Sequence, residues 1–217
     1  MAKKPNLVFI FSDQQRQDTM ACYGNDWIQT PNLNKLALRS FIFRNAYVTQ
    51  PVCTPSRASI MTGLYPHRAG PVLNGIEMSE DIQTVAEMIS PDYLCGYFGK
   101  WHLGLGEGEK TDYTKPLSPG PLTVGFDRFY GIPASLDMAP YVYIRNDRFT
   151  MRPTRQQPAV KFPHFVRHGP RAEDFVMDEV LDRLTDEAVA CIRSGAAGPK
   201  PLFLYLALAV QAGFHII

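Results

Sequence analysis

Residues 7–15 read Leu-Val-Phe-Ile-Phe-Ser-Asp-Gln-Gln, an apolar run that changes abruptly into polar residues. An unbroken apolar run of this kind is typical of a strand that is covered on both faces in a parallel sheet. Polar residues at the carboxyl end of such a strand lie where open α/β sheets bind their ligands. The stretch therefore predicts a first strand over Leu7–Phe11 and a functional loop that begins at Ser12.

The remaining chain alternates helical spacing with short apolar runs. Because strands and helices alternate, we expect an α/β fold with a mostly parallel central sheet flanked by helices. Further strands are predicted over 41–48, 93–98 and 201–208. Helices are predicted after Thr30-Pro31, between Pro55 and Gly63, and over 80–89 and 173–193.

Residues 104–171 differ from their surroundings, because they are rich in Gly, Pro, Tyr and Phe and show little periodicity. Their aromatic content is too high for a solvated linker, so we interpret them as an irregular insertion on the substrate side of the fold. Tyr141 and Tyr143 in this stretch are candidates for a pocket wall, and packing explains them equally well.

Bulk properties exclude several classes of function. The net charge is +1, from 22 basic and 21 acidic residues, so no overall field attracts nucleic acid or an anionic membrane. No apolar stretch is long enough to span a bilayer. The run after Lys3-Lys4 is too short for a signal peptide, so we expect a cytoplasmic protein. Widely spaced cysteines predict free thiols, of which three are packing residues: Cys22, Cys95 and Cys191.

Cys53 has a different context, Cys53-Thr54-Pro55-Ser56-Arg57. A loop precedes it, and Pro55 suits the first turn of a helix. Cys53 is therefore expected at a helix N-terminus, with Arg57 one turn further on and on the same side. Two more patterns follow in the chain: Thr62-Gly63-Leu64-Tyr65-Pro66-His67-Arg68 and Gly99-Lys100-Trp101-His102-Leu103-Gly104.

These motifs, in this order, resemble the type I sulfatase family of the alkaline phosphatase superfamily. The resemblance covers nearly the whole chain and implies an alkaline phosphatase-like fold, a sulfate ester substrate and a maturation enzyme that converts Cys53 to formylglycine. One hydroxyl of the hydrated aldehyde attacks sulfur and expels the alcohol, and the other then expels sulfate. The resemblance also implies roles for three further side chains: Arg57 stabilises the hydrate, Lys100 holds the sulfate, and His102 hydrogen-bonds the formylglycine and takes a proton.

The resemblance further implies a divalent metal, Ca²⁺ by family habit with Mn²⁺ or Mg²⁺ as alternatives. Asp13 is then a metal ligand, together with the group made from Cys53. Many members have Asp-Asp where this chain has Asp13-Gln14, a pattern similar to choline sulfatases and phosphonate monoester hydrolases. Gln14 is either a ligand or substrate contact or a loop residue. Asn74 is either a substrate contact or part of an Asn-Gly turn.

The last residues, Gln211 to Ile217, directly follow a predicted core strand. We therefore expect residues 1–217 to be an incomplete N-terminal sulfatase domain, truncated before its C-terminal part and inactive alone. Two readings compete with a sulfatase: a phosphonate or phosphate ester hydrolase of the same superfamily, and an inactive fragment. The other histidines carry no assigned role: His67, His164, His168 and His215.

Overall fold

The structure, a computed structural model, describes residues 4–106, 111–162, 165–195 and 197–209. Its strands are β1 Leu7–Phe11, β2 Leu94–Lys100, β3 Arg128–Ile132, β4 Ile144–Arg145, β5 Arg148–Phe149, β6 Pro153–Gln157, β7 Gly169–Ala172 and β8 Leu202–Ala207. Six of them form a central sheet in the order β1-β8-β2-β3-β4-β5, and β6 pairs with β7 in a separate hairpin.

The first four strands in that order are parallel, and β4 and β5 are antiparallel at one end. A hydrophobic cluster lies on each face of the sheet, so the expected α/β architecture with a mostly parallel sheet is confirmed. The longest helix packs on one face and buries Val180, Leu184 and Ala188. The helices are α1 Pro31–Ala37, α2 Cys53–Thr62, α3 Pro66–Ala69, α4 Val85–Ile89 and α5 Val180–Gly195.

The sheet brings two sequence motifs to one edge. Strand β8 lies between β1 and β2 and is parallel to both, so β1 and β2 end on the same side. Asp13 follows the end of β1, and Lys100 is the last residue of β2. Gly99 permits this arrangement, because it has a φ of +119° and a Cβ at its position would lie 1.7 Å from the carbonyl oxygen of Ala207.

Several predicted elements are wrong in extent or kind. Residues 41–48 form no strand, since their apolar residues have no neighbouring strand to pair with among the described residues. The helix predicted over 80–89 spans only Val85–Ile89, which begins at the capping box of Thr84 and Glu87. The helix predicted from residue 173 begins at Val180, after a short 3-10 turn.

The expectation for β1 is half right. A strand does span Leu7–Phe11, but it is an edge strand of the described sheet rather than one covered on both faces. Val8 and Ile10 are 50% and 60% exposed. The apolar run therefore predicted the element correctly and its surroundings incorrectly.

Residues 104–171 are only partly irregular. Within its described part this stretch contributes β3, β4 and β5 to the central sheet and most of the β6–β7 hairpin. The strands escaped prediction because they are short and interrupted by Gly and Pro. Tyr141 and Tyr143 are fully buried and belong to the core cluster on the α5 side, so they are packing residues.

No helix among the described residues is long and apolar enough to cross a membrane.

Candidate active site

Cys53 is the first residue of α2, as the sequence predicts. The helix begins with Pro55 in its first turn and ends at Gly63, which adopts the left-handed conformation. Val52 offers no side-chain cap, so the N-terminal amides need another acceptor. Asn74 supplies it: the backbone N–H of Thr54 donates to Asn74 Oδ1 at 3.0 Å. The cap therefore comes from a loop 20 residues further along the chain.

Lys100 connects the nucleophile candidate to the first strand. Its Nζ donates to Sγ of Cys53 at 3.2 Å and to Oδ2 of Asp13 at 2.8 Å. The Lys100 side chain is fully buried, and that of Asp13 is 8% exposed. A buried ammonium needs such partners, because removal from water is costly for an unpaired charge. Three of the predicted site residues, Cys53, Asp13 and Lys100, are thus in direct contact through the Lys100 ammonium group.

Arg57 lies next to Asp13 and Lys100, and only 2% of its side chain is exposed. Its Nη2 is 3.5 Å from Oδ2 of Asp13, and its Nη1 donates to the carbonyl oxygen of Lys100 at 2.9 Å. The guanidinium also stacks over the Phe11 ring, 5.2 Å from its centroid. These contacts hold Arg57 against the ends of both β1 and β2.

The centre formed by Cys53, Asp13, Arg57 and Lys100 has an excess of positive charge. It holds two buried cations and one carboxylate, so its formal charge is +1 when Cys53 is neutral. Arg57 Nε and Thr54 Oγ1 are buried and have no hydrogen-bond partner among the described residues. Buried polar groups are usually paired, so unpaired donors beside a net positive charge indicate an anion site.

His102 lies just beyond β2, in the left-handed backbone region with a φ of +59°. Its Nδ1 is buried without a hydrogen-bond partner in the described chain. Burial, and then the nearby Lys100 and Arg57 cations, lower the pKa of His102 from 6.5 to about 4. The imidazole is therefore neutral at neutral pH, and the same causes disfavour its protonated form.

The other candidate residues lie either in the cleft beside Cys53 or on the protein surface. Gln14 is exposed and lines an open cleft of about 580 Å³ together with Asp13, Cys53 and Asn74. His67 is exposed on α3 and stacks on Tyr65, and His168 is exposed as well. His164 and His215 lie outside the described residues.

Sequence reasoning missed Tyr97. This residue of β2 is buried, and its hydroxyl contacts both Arg57 Nη1, at 3.4 Å, and the Lys100 carbonyl oxygen. Burial raises the pKa of the Tyr97 hydroxyl to about 12, so it stays protonated. A tyrosine in an apolar strand gives no signal that separates a supporting hydroxyl from ordinary packing.

The described residues form only part of a cation site. Asp13 is the only carboxylate that lines the cleft beside Cys53 in the described chain, and two cations already contact it. No group of three or more His, Cys, Asp or Glu side chains in the described ranges is placed to hold a metal ion. A hard divalent cation takes six or more oxygen ligands, so these residues alone do not fit one.

Comparison with known proteins identifies the same family that the sequence motifs resemble. The family model described as Sulfatase matches residues 5–210. The N-acetylgalactosamine-6-O-sulfatase of Bacteroides thetaiotaomicron is 34% identical over 179 residues, which make up 80% of this chain and 35% of that protein. Human arylsulfatase A is 40% identical over 149 residues, or 64% of this chain and 27% of that protein.

The structural comparison extends the match to the fold. A solved sulfatase structure from work on glycosaminoglycan metabolism by Bacteroides thetaiotaomicron superposes on 97% of this chain and 52% of its own, with a TM-score of 0.82 and 26% identity. The chain thus spans about a third of the length of the first curated relative and half of this solved chain. The family match, the order of the motifs and the shared fold lead to one conclusion: the chain belongs to the sulfatase family.

Proposed function

We propose that this chain carries the nucleophile and sulfate-binding part of a sulfuric ester hydrolase. The observation that carries the proposal is the position of Cys53, at the N-terminus of α2 and 3.2 Å from a buried ammonium. A helix N-terminus and two buried cations favour negative charge at the attacking atom and on the sulfate.

The chemistry requires formylglycine at position 53, a modification that the sulfatase family generally uses. One hydroxyl of the hydrated aldehyde attacks sulfur, a new O–S bond forms, and the bond between sulfur and the alcohol oxygen breaks. The proton lost by the attacking hydroxyl is balanced by the proton with which the alcohol leaves. The second hydroxyl then loses its proton, the aldehyde carbonyl re-forms, and sulfate leaves with the bridging oxygen. A serine accepts the sulfuryl group but has no second hydroxyl with which to release it.

The positions of the residues around Cys53 support a role in the reaction for each of them. Lys100 Nζ, already within reach of Cys53 and Asp13, holds a sulfate oxygen. Arg57 stabilises the hydrate through its Nε, which has no hydrogen-bond partner within the described ranges. His102 is neutral at neutral pH, and its Nδ1 has no hydrogen-bond partner among the described residues. It takes the proton released when the aldehyde re-forms once the negative charge of the bound sulfate offsets the Lys100 and Arg57 charges that lower its pKa.

The family also generally uses a divalent metal, which neutralises charge on the sulfate oxygens when bound. We propose that Asp13, Gln14 and the oxygen that replaces Cys53 Sγ supply part of its coordination. Any further carboxylate ligand must come from outside the described residues, since Asp13 is the only carboxylate of the described cleft. Oxygen ligands favour Ca²⁺, with Mn²⁺ or Mg²⁺ as alternatives.

We assign the ester's alcohol to a second cavity, which Thr54 and His102 line. It has a volume of about 230 Å³, and Leu105, Leu117 and Phe149 of the 104–171 stretch line it. This position supports a substrate-side role for that stretch. Since the Bacteroides relative is named for a sulfated amino sugar, we propose a sulfated sugar or another small cyclic alcohol as substrate. The sulfatase names of the relatives favour sulfate over phosphonate.

A chimera tests the reaction, because this chain spans only 35% of the relative. Residues 5–209 replace the matching stretch of the Bacteroides sulfatase, and the chimera is co-expressed with a formylglycine-generating enzyme. We expect repeated, metal-dependent turnover of 4-nitrophenyl sulfate. Cys53→Ser should release at most one equivalent of nitrophenol and keep the sulfuryl group, and Cys53→Ala should release none. Equal turnover by Cys53→Ala and the parent would refute the proposal.

A further inference from the structure

The cavity that Thr54 and His102 line adjoins the cleft beside Cys53. Consecutive residues line the two spaces at two positions, because Cys53 and Asn74 line the cleft whereas Thr54 and Gly75 line the cavity. The Thr54 residue is 1% exposed, and its Oγ1 has no hydrogen-bond partner among the described residues. Buried hydroxyls are usually paired, so the junction of the two spaces has a polar group that suits a ligand. A substrate held by its sulfate in the cleft therefore extends past Thr54 into the cavity.

Glu77 supplies the one carboxylate of this cavity. Among the described residues that line it, Glu77 is the only acidic one and none is Lys or Arg. His102 is neutral at neutral pH, because burial and the nearby cations lower its pKa to about 4. Most of the other lining residues are apolar, and they include the aromatic ring of Phe149. The cavity therefore presents a single carboxylate within largely apolar walls.

Hydrogen bonds of the neighbouring residues hold Glu77 at the cavity wall. The N–H of Met78 donates to the carbonyl oxygen of Leu103 at 3.0 Å, and Trp101 Nε1 donates to the carbonyl oxygen of Gly104 at 2.6 Å. The Glu77 side chain lies directly against Gly104, since a Cβ at Gly104 would lie 2.8 Å from both Cβ and Cγ of Glu77. Glu77 is thus fixed to the loop that directly follows β2.

The cleft and the cavity differ in charge. The centre around Cys53 holds two buried cations and one carboxylate, whereas the cavity holds one carboxylate and no cation among its described lining residues. Electrostatic complementarity then selects a molecule with a negative sulfate at one end and a positive group at the other. The Phe149 ring favours the same positive group, because aromatic faces attract cations. A hydroxyl can hydrogen-bond to Glu77 but gains nothing from either attraction.

We propose that Glu77 is a specificity-determining residue that binds a protonated amino group on the alcohol. The preferred substrate is then the O-sulfate of an amino sugar whose amine is free. This assignment rests on the proposed function, since it takes the ester's alcohol to lie in the cavity. Acetylation removes the positive charge of the amine and adds bulk, so an N-acetylated sugar binds less tightly. The preference differs from the one that its name gives to the Bacteroides relative, whose sugar is N-acetylated.

Affinities measured on the chimera test this assignment without any turnover. The Cys53→Ala chimera is titrated with galactosamine 6-O-sulfate and with its N-acetylated form, below the pKa of the sugar amine, and binding is followed by calorimetry. The free amine should bind about tenfold more tightly, the effect of one hydrogen bond between charged groups. Galactose 6-O-sulfate, which has a hydroxyl in place of the amine, should bind as weakly as the N-acetylated form. Equal affinities for the free amine and either of the other sugars would overturn the assignment.

Two variants separate a direct contact from a general effect of charge. Glu77→Gln should reduce the difference in affinity between the free amine and the N-acetylated sugar to less than about twofold. Glu80→Gln is the matched control, because Glu80 is an exposed carboxylate on the same segment that does not line the cavity. It should keep the difference in affinity, and equal effects of the two variants would overturn the assignment.

The proposed reaction and the role of Glu77 fail in different measurements. Turnover of 4-nitrophenyl sulfate by the parent chimera tests the reaction and requires no amine. Absence of turnover with a retained difference in affinity would refute the reaction and support the assignment of Glu77. Turnover with equal affinities for the three sugars would overturn the assignment of Glu77 alone.

Discussion

Lys100 Nζ donates to Asp13 Oδ2 across 2.8 Å and so joins the ends of two strands that are not neighbours in the sheet. Strand β8 separates them, and it ends at Ala207. The contact lies within a centre that also holds Arg57 and Cys53. Removal of the one carboxylate would leave two buried cations without compensation.

Asp13→Asn should therefore destabilise the chain by about 3–5 kcal/mol, the usual cost of breaking a buried pair by removing one partner. Urea unfolding of the purified chain measures this. Asp18→Asn is the matched control, because Asp18 pairs with Arg16 at the surface and its loss should cost no more than about 1 kcal/mol. Similar losses for the two variants would show that the Asp13 pair contributes no more than a surface pair.

Asn74→Ala should cost about 1 kcal/mol, since it removes the acceptor for the Thr54 amide at the start of α2. It should also lower turnover by the chimera, because the helix N-terminus positions residue 53. Asn25→Ala removes a comparable side-chain acceptor, for the amides of Trp27 and Ile28, far from Cys53 in the sequence. A loss of turnover from Asn25→Ala as large as that from Asn74→Ala would contradict a positioning role for Asn74.

Gly99→Ala should abolish folding or cost several kcal/mol, because φ is +119° and the added Cβ would overlap the Ala207 carbonyl. Gly63→Ala provides the comparison. Gly63 has a φ of +70° and nothing within 4 Å of an added Cβ, so only backbone strain of about 1 kcal/mol applies. Thermal unfolding of both variants tests the difference, and comparable melting temperatures would show that β2 and β8 lie further apart at Gly99.

His102 makes stability depend on pH in a defined direction. Its folded pKa of about 4 lies below the ordinary 6.5, so the unfolded chain binds more protons between these values. The stabilisation is complete above pH 6.5 and is lost as the pH falls towards 4, by about 3 kcal/mol. His102→Gln should lack this part of the acid dependence, whereas exposed His67→Gln should keep it. Parallel unfolding curves for His102→Gln and the parent from pH 7.5 to 4.5 would contradict the burial of His102.

Periodicity and motif order predicted the parts of the molecule that are local. The runs at Leu7–Phe11 and Leu202–Ala207 form strands, and Cys53 begins a helix because Pro55 and Gly63 mark its ends. Resemblance to the family predicts Cys53, Arg57, Lys100 and Asp13 as site residues, and the structure places all four together.

Features that depend on the assembled fold could not be predicted. A run such as 41–48 has strand-like residues, but only a neighbouring strand makes it a strand. The short strands β4 and β5 exist because β3 offers a partner. Tyr97 and Asn74 support the site through contacts over 40 and 20 residues, which no local pattern encodes.

The mass of the peptide that contains Cys53 shows directly whether this residue is the precursor of the nucleophile. The chain is co-expressed with a formylglycine-generating enzyme, digested and measured by mass spectrometry, with Cys22 as an internal control that should remain a thiol. We expect the aldehyde form at position 53 in the parent and none in a Cys53→Ala variant. An unmodified thiol at Cys53, in cells where a known sulfatase is fully converted, would contradict the account of Cys53 as the precursor of the nucleophile.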